Sequence, residues 1–404
     1  LLAADRACYF HSQHFSVRLL KPASVCPEKE KRMRSPEARL QDLLRQLVVK
    51  DFPAVSIAVG KGDQTVWQHA AGYSQKGIKN TPETLFGVGS VTKVFVAVAI
   101  LQLVEEGRIA LDQPLARWLE KPVLFGIANG ENVTVRQLLS HYAGVPSWED
   151  RPLWIREARG QQADPTKRWL PSDTLACIRG EKPLCRPGEA FYYSNSNFTL
   201  LGLLIERVTQ NKLNDELENR IFRPLSLART GLEGFPAFVR PNTADRFHRL
   251  DASFIRNAGI SDYFKPAPGK LLNVSATNLC VEWAAGGLLS TAQELMTFML
   301  ALKNGRLLNP QSLREMQRWL PADEAQIGLS LFRIKTPYGT ALGHGGNVLG
   351  FSACVWWYED VDSAVAILTN VGSMHAAPAA NCASALFKNS EIGRLAQEIS
   401  AQGG

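Results

Sequence analysis

The chain has 404 residues, of which 45% are hydrophobic and 21% charged, an ordinary globular composition with length enough for two packed units and a sizeable core. Its formal charge of +7 argues against nucleic acid as a partner: residues 1–50 carry +5 of it, whereas a nucleic-acid binder needs a basic face on its folded body. No apolar run reaches the ~18 residues of a membrane span; the nearest, residues 94–104, is eleven long and ends at Glu105 and Glu106.

Residues 1–33 read as a leader or appended segment outside the fold. They hold Cys8, His11, His14 and Cys26 but no apolar core followed by a small-residue cleavage site, which makes a poor signal peptide. The first Met is Met33, and Leu40, Leu43, Leu44, Leu47 and Val48 follow at helical spacing. A natural start at Met33 implies a cytoplasmic protein. Residues 1–32 standing in for, or following, an export signal imply a periplasmic one. The seven Cys include no C-x-x-C pair, so no metal is expected. Cys177 and Cys185 bracket a short loop and would pair in an oxidising compartment; free thiols are the simpler reading.

Residues 53–60 have a buried-strand pattern, Lys61-Gly62-Asp63 is turn chemistry, and residues 65–71 read as the hairpin partner. Next comes Gly87-Val88-Gly89-Ser90-Val91-Thr92-Lys93. A Ser and a Lys three apart lie nearly one helical turn apart and face one cleft. The following residues are apolar all round, so their helix is buried, with Gly107 as its C-cap. Ser90 then sits at a helix N-terminus, where the dipole favours developing negative charge. Lys93, partly desolvated, takes the serine proton as a neutral amine.

Pro187-Gly188 makes a turn that leads to Tyr193 and Asn195, two apart in an extended loop and both able to point into a cleft. Tyr193 beside ammonium groups ionises more readily and serves as acid or base. Asn195 orients Lys93 or a substrate amide. Residues 200–208 and 292–300 are helices by pattern. Gly343-His344-Gly345-Gly346-Asn347 precedes an apolar strand at 351–358. Gly345 and Gly346 leave backbone accessible to substrate, the Asn347 N–H pairs with that of Ser90 as an oxyanion hole, and His344 contacts substrate or assists Tyr193. A turn at 359–362, a strand at 363–368 and a helix at 376–388 close the chain. Each motif alone also fits a plain capping, core or turn role.

Together and in this order, S-x-x-K at Ser90–Lys93, Y-x-N at Tyr193–Asn195 and H-x-G at His344–Gly346 resemble the class C β-lactamase and low-molecular-weight penicillin-binding protein superfamily. That group includes D-aminopeptidases, D-alanyl carboxypeptidases and family VIII carboxylesterases. Residues 138–145, Leu-Leu-Ser-His-Tyr-Ala-Gly-Val, and 284–291, Ala-Ala-Gly-Gly-Leu-Leu-Ser-Thr, resemble two further segments of it. The resemblance runs from about residue 38 to about 388.

It implies an α/β (α+β) fold, a β-lactamase/transpeptidase-like antiparallel sheet flanked by helices with an inserted, mostly helical domain. Residues 34–93 and 275–404 would form the discontinuous sheet domain and 94–274 the insertion, with the site in the cleft between. Carried over, Ser90 is the nucleophile and Lys93 its base. Tyr193 shuttles the proton, Asn195 positions substrate and Lys93, and the Ser90 and Asn347 amides form the oxyanion hole. Such a donor is worth ~3–4 kcal/mol. His344, Gly345 and Gly346 contact substrate, Tyr142 and Trp148 wall the acyl pocket, and His141 is structural. No cofactor is implied.

The third element is where this chain departs from most class C β-lactamases, whose Lys-Thr-Gly holds the substrate carboxylate. A neutral imidazole at His344 attracts a carboxylate less at pH 7. The expectation is therefore a hydrolase of carboxylic esters. β-Lactams and D-amino-acyl peptides are the alternative substrates, and a non-catalytic penicillin-binding or scaffold protein is a third reading. The partner is a small molecule; the sequence does not specify an oligomeric state.

Overall fold

The apolar runs at the two ends of the chain meet in one sheet. The computed structural model describes residues 34–50, 53–234, 242–372 and 382–402. Ala54–Lys61 (β1) and Gln64–Gln75 (β2) form an antiparallel hairpin, extended by Ile78–Lys79 (β3). The C-terminal part supplies Leu320–Ala322 (β4), Ala325–Ile327 (β5), Phe332–Thr336 (β6), Gly339–Val348 (β7), Phe351–Tyr358 (β8) and Ala364–Thr369 (β9). Their order across the sheet is β4-β5-β6-β7-β8-β9-β1-β2-β3, antiparallel throughout. The two ends join in the β1–β9 ladder, from Val55 opposite Thr369 to Gly60 opposite Ala364.

Helices cover both faces of this sheet, which is why β8 and β9 are buried along their whole length. On one face Val55, Ile57 and Val59 of β1 join a core with Leu40 and Leu44 of Pro36–Lys50 (α1), Phe387 of Ala383–Asn389 (α6) and Leu395 and Ile399 of Ile392–Gln402 (α7). The other face of β1 carries Ala54, Ser56, Ala58 and Gly60. Small residues there let Ala292–Lys303 (α5) come close: a Cβ on Gly60 would lie 2.5 Å from the Met296 sulfur. The period-2 alternation of large and small side chains thus sets a thick and a thin side of the sheet.

Thr92–Glu105 (α2) is apolar around its circumference, and eleven of its residues are buried, Thr92 to Leu101 and Leu103. It is a central helix, packed against Asn195–Thr209 (α3) and the short helix Trp283–Gly286 (α4), with Phe95 stacked on Phe298 of α5. Segment 94–274 is not purely helical. Phe247–Arg249, Leu271–Asn273 and Lys265–Ala267 form a small sheet with Val371–Gly372. That parallel pairing ties the segment to the strand end just after β9. The closing helix expected at 376–388 falls partly outside the described residues; the described helix is α6, and α7 follows it. The leader expected at 1–33 lies outside the described residues.

Candidate active site

Ser90 lies in a 3-10 turn, Gly89–Val91, that runs directly into α2. Gly89 takes φ +53° to start that turn, a left-handed value natural to glycine. Ser90 is half-buried and Lys93, in the first turn of α2, is fully buried. Lys93 Nζ stands 2.9 Å from Ser90 Oγ and donates to the Ala285 carbonyl at 2.6 Å. Burial pushes the Lys93 ammonium down to about 7, against the opposing pull of Glu149 and Glu282. A neutral amine at this position keeps one N–H on Ala285 and turns its lone pair to the serine hydroxyl.

Tyr193 closes the other side. Its ring lies 5.0 Å from Lys93 Nζ, and its hydroxyl is hydrogen-bonded to Ser90. Burial pushes the phenol well above its ordinary range, with the Ser90 bond a smaller opposing influence. This corrects the expectation of an easily ionised tyrosine. Lys93 is itself driven toward neutrality, so no strong cationic field holds a phenolate. A neutral phenol here can still both donate and accept a hydrogen bond. Its ring stacks on His141, with centroids 4.2 Å apart. His141 has φ +59° and is fully buried; its Nδ1 accepts from the Ser194 N–H at 3.1 Å. Burial holds the imidazole neutral. The histidine read as structural from sequence therefore forms the platform under Tyr193.

Asn195 is placed differently from the sequence expectation. It is not in an extended loop but is the first residue of α3, after the N-cap Ser194. Its N–H donates to Ser147 Oγ at 3.1 Å. Its Oδ1 is buried without a hydrogen-bond partner among the described residues. Lys93 bonds Ser90 and Ala285 and not Asn195, so Asn195 does not orient the lysine directly.

Strand β7 brings the third element. Its pairing with β6 ends at Gly343 opposite Phe332, while β8 continues alongside to Val348. Beyond Gly343 the Gly89–Val91 turn comes up against β7. A Cβ on Gly346 would overlap the Val88 carbonyl and lie 2.9 Å from Ser90 N, and one on Gly89 would lie 2.9 Å from Asn347 N. The two amides expected as an oxyanion hole thus flank one tight backbone contact. Gly346 serves that contact rather than an open substrate face. Gly345 points the other way: a Cβ there would overlap Ser384 Oγ on α6. Both roles correct the expectation that the two glycines simply leave backbone open to substrate.

His344 is buried, with its ring 5.1 Å from that of Phe332 and 6.4 Å from that of Tyr193. Its Nδ1 is bonded to the Gly345 carbonyl, so Nδ1 carries the proton and Nε2 is an acceptor. Nε2 has no hydrogen-bond partner among the described residues. Burial, with Lys93 adding to it, lowers the imidazole to about 3. A neutral ring with a free acceptor does not anchor a carboxylate.

Tyr142 is half-buried and donates its hydroxyl to the Pro321 carbonyl of β4 at 2.6 Å. Trp148 is a correction. It has no exposed surface, donates its indole N–H to Thr199 Oγ1 at 3.0 Å and packs on Trp154. It belongs to the core behind α3 and cannot wall an open pocket. Cys177 and Cys185 are free thiols bonded to nearby carbonyls, of Asp173 and Ala190. Sequence reasoning missed Glu149, Arg159, Glu282 and the Ala285 carbonyl. The one available signal was charge: Glu149 and Glu282 each adjoin a tryptophan that proves to be core.

A half-buried serine, a fully buried lysine one turn along its helix and a tyrosine closing the pair make up an S-x-x-K constellation. The chain belongs to the beta-lactamase family, whose model matches residues 40–385. Among solved structures it is similar to a D-stereospecific amidohydrolase from Streptomyces sp., at 30% identity and TM-score 0.71, over 83% of this chain and 94% of that one. It shares its fold with a D-amino acid amidase from Ochrobactrum anthropi SV3, at 24% identity and TM-score 0.74, over 90% and 98% of the two chains. Protein flp of Staphylococcus aureus (strain N315) is 30% identical over 184 residues, 45% of this chain. That match spans only 35% of the flp sequence.

Proposed function

We propose that this protein is a serine hydrolase that forms an acyl-enzyme on Ser90 and cleaves small D-amino-acyl amides and peptides. The observation that carries the reading is the fully buried Lys93 amine 2.9 Å from Ser90 Oγ. Lys93 takes the hydroxyl proton as Ser90 attacks the carbonyl carbon. The Ser90 and Asn347 N–H groups receive the developing oxyanion. The Tyr193 hydroxyl, bonded to Ser90, passes its proton to the departing amine while the ammonium that Lys93 has become returns one to it, and in deacylation the relay runs in reverse, from the attacking water back to Ser90 Oγ.

The substrate class rests on what the site leaves unpaired. His344 Nε2 and Asn195 Oδ1 are buried acceptors without partners among the described residues. They suit an amino group or amide N–H and repel a carboxylate. The Streptomyces relative is named as an amidohydrolase, which accords with this choice. Ester cleavage, expected from the sequence, uses the same steps and stands as an activity of the same serine. The site does not favour β-lactams that need a carboxylate anchor.

Rates on D-phenylalanine amide, p-nitrophenyl butyrate and nitrocefin, with Ser90→Ala as the blank, test this. The expected result is Ser90-dependent cleavage of the D-amide, with nitrocefin slow or untouched. Efficient nitrocefin cleavage would overturn the reading of His344. Ester turnover without amide turnover would return the protein to the esterase side.

A further inference from the structure

Lys93 has a neighbour that the steps above do not use. Its Nζ meets two oxygens, Ser90 Oγ at 2.9 Å and the Ala285 carbonyl at 2.6 Å, whereas an ammonium carries three N–H donors. Among the described residues no third oxygen bonds it and no carboxylate forms an ion pair with it. Nζ stands instead over two aromatic rings, 5.4 Å from the centroid of Phe198 and 5.0 Å from that of Tyr193. Both lie within the ~6 Å over which the face of a ring attracts a cation.

Phe198 has no exposed surface and sits one turn into α3. The start of that helix is pinned: Ser194 Oγ donates to the Pro146 carbonyl, the Asn195 N–H to Ser147 Oγ and the Trp148 N–H to Ser196 Oγ. The Phe198 ring also packs on that of His141, with centroids 5.4 Å apart. Backbone and packing together fix its place beside the lysine. A buried ammonium is costly unless something offsets the desolvation. A carboxylate bonded to Nζ would hold the lysine charged and its lone pair out of use. A ring face attracts the charge more weakly and leaves the amine free to lose its proton.

We propose that Phe198 is a positioning residue for Lys93: the face of its ring takes the third N–H of the ammonium and stabilises that charge as the lysine accepts the proton of Ser90. The inference rests on the reading of Lys93 as the base of Ser90. Tyr193 offers a similar face but is bonded to Ser90, so Phe198 is the ring that can be changed without touching the proton path. The titratable groups around the lysine do not take its place. Burial pushes the Glu149 carboxyl up to about 8, and Glu282 is ion-paired with Arg159. Both carboxyls raise Lys93, but burial outweighs them. Burial also holds His141 and His344 neutral and pushes the Tyr193 phenol up.

The test drains the ring face without emptying its space. Phe198 is replaced in the full chain by monofluoro, trifluoro and pentafluoro phenylalanine, each fluorine withdrawing negative charge from the face while the shape of the ring is nearly kept. The titration of Lys93 is read by NMR on protein with 13Cε-labelled lysine, the signal being identified by its loss in Lys93→Arg. The midpoint should fall stepwise with fluorine number, by about one pH unit with the pentafluoro ring, and the acid limb of kcat/KM should move to lower pH with it. The monofluoro and trifluoro proteins carry the test if the pentafluoro one does not fold. Phe198→Leu, which fills the space without a ring face, should lower the midpoint as well. A midpoint unmoved across the fluorinated series, with only a lower Tm in Phe198→Leu, overturns the proposal and leaves Phe198 a core side chain. The NMR midpoint does not depend on turnover. A fluorine-dependent midpoint in a protein without Ser90-dependent hydrolysis would uphold Phe198 and instead sink the hydrolase reading.

Discussion

Lys93 shows how one residue can be legible in sequence while its chemistry is not. Its spacing from Ser90 and the apolar helix that follows were enough to place it one turn from that serine. The degree of its burial, and the Ala285 carbonyl that fixes its lone pair, come from α4, 192 residues further on. The same holds for Tyr193, whose burial raises the phenol instead of lowering it. Arg at position 93 stays protonated at any working pH, so Lys93→Arg should lose about 100- to 10,000-fold in kcat. Steady-state kinetics on a substrate cleaved in a Ser90-dependent manner will check this. Activity within tenfold of wild type would mean that Lys93 is not the base.

At the scale of elements, the site is a meeting of a turn and a strand. The H-x-G motif announced the strand but not the reason for its glycines. Gly346 allows β7 to lie against the Val88 carbonyl and the Ser90 amide, while Gly345 makes room for Ser384 on the far face. The two glycines should therefore respond differently. Gly346→Ala must separate β7 from the Gly89–Val91 turn and should cost at least ~3 kcal/mol of transition-state stabilisation, the value of one displaced oxyanion donor. Gly345→Ala meets only the end of a serine side chain, which can rotate, and should keep most of its kcat. Equal losses in the two variants would refute this division. The helix α2 was read from its all-round apolar pattern, and its packing accounts for a further expectation. Phe95→Ala empties a stack with Phe298 and should cost ~3–5 kcal/mol, visible as a lower urea midpoint.

For the whole molecule, the sheet closes only when residues about 300 apart pair, as the register of Val55 with Thr369 requires. Matching apolar patterns at both ends made this joining legible. The β4–β5 hairpin and α7 were not, because strands of three residues carry too little period-2 signal and the last helix follows an already plausible close. The small sheet tying 247–273 to Val371–Gly372 was equally hidden, since its pairing is non-local and each strand is two or three residues long. A chain ending at Ser363 lacks β9, the strand between β8 and β1. It should fail to form a protease-resistant core, whereas retention of native near-UV circular dichroism would show that the hairpin folds against something else.

The central claim is that a neutral Lys93 activates Ser90, and the pH profile of kcat/KM on D-phenylalanine p-nitroanilide tests it most directly, with Ser90→Ala measured alongside. Lys93 is lowered to about 7, and a base works only when deprotonated. The rate should therefore rise through an acid limb centred near pH 7 and vanish in Ser90→Ala. A profile flat between pH 5 and 9, or release that survives the loss of Ser90, would contradict the account.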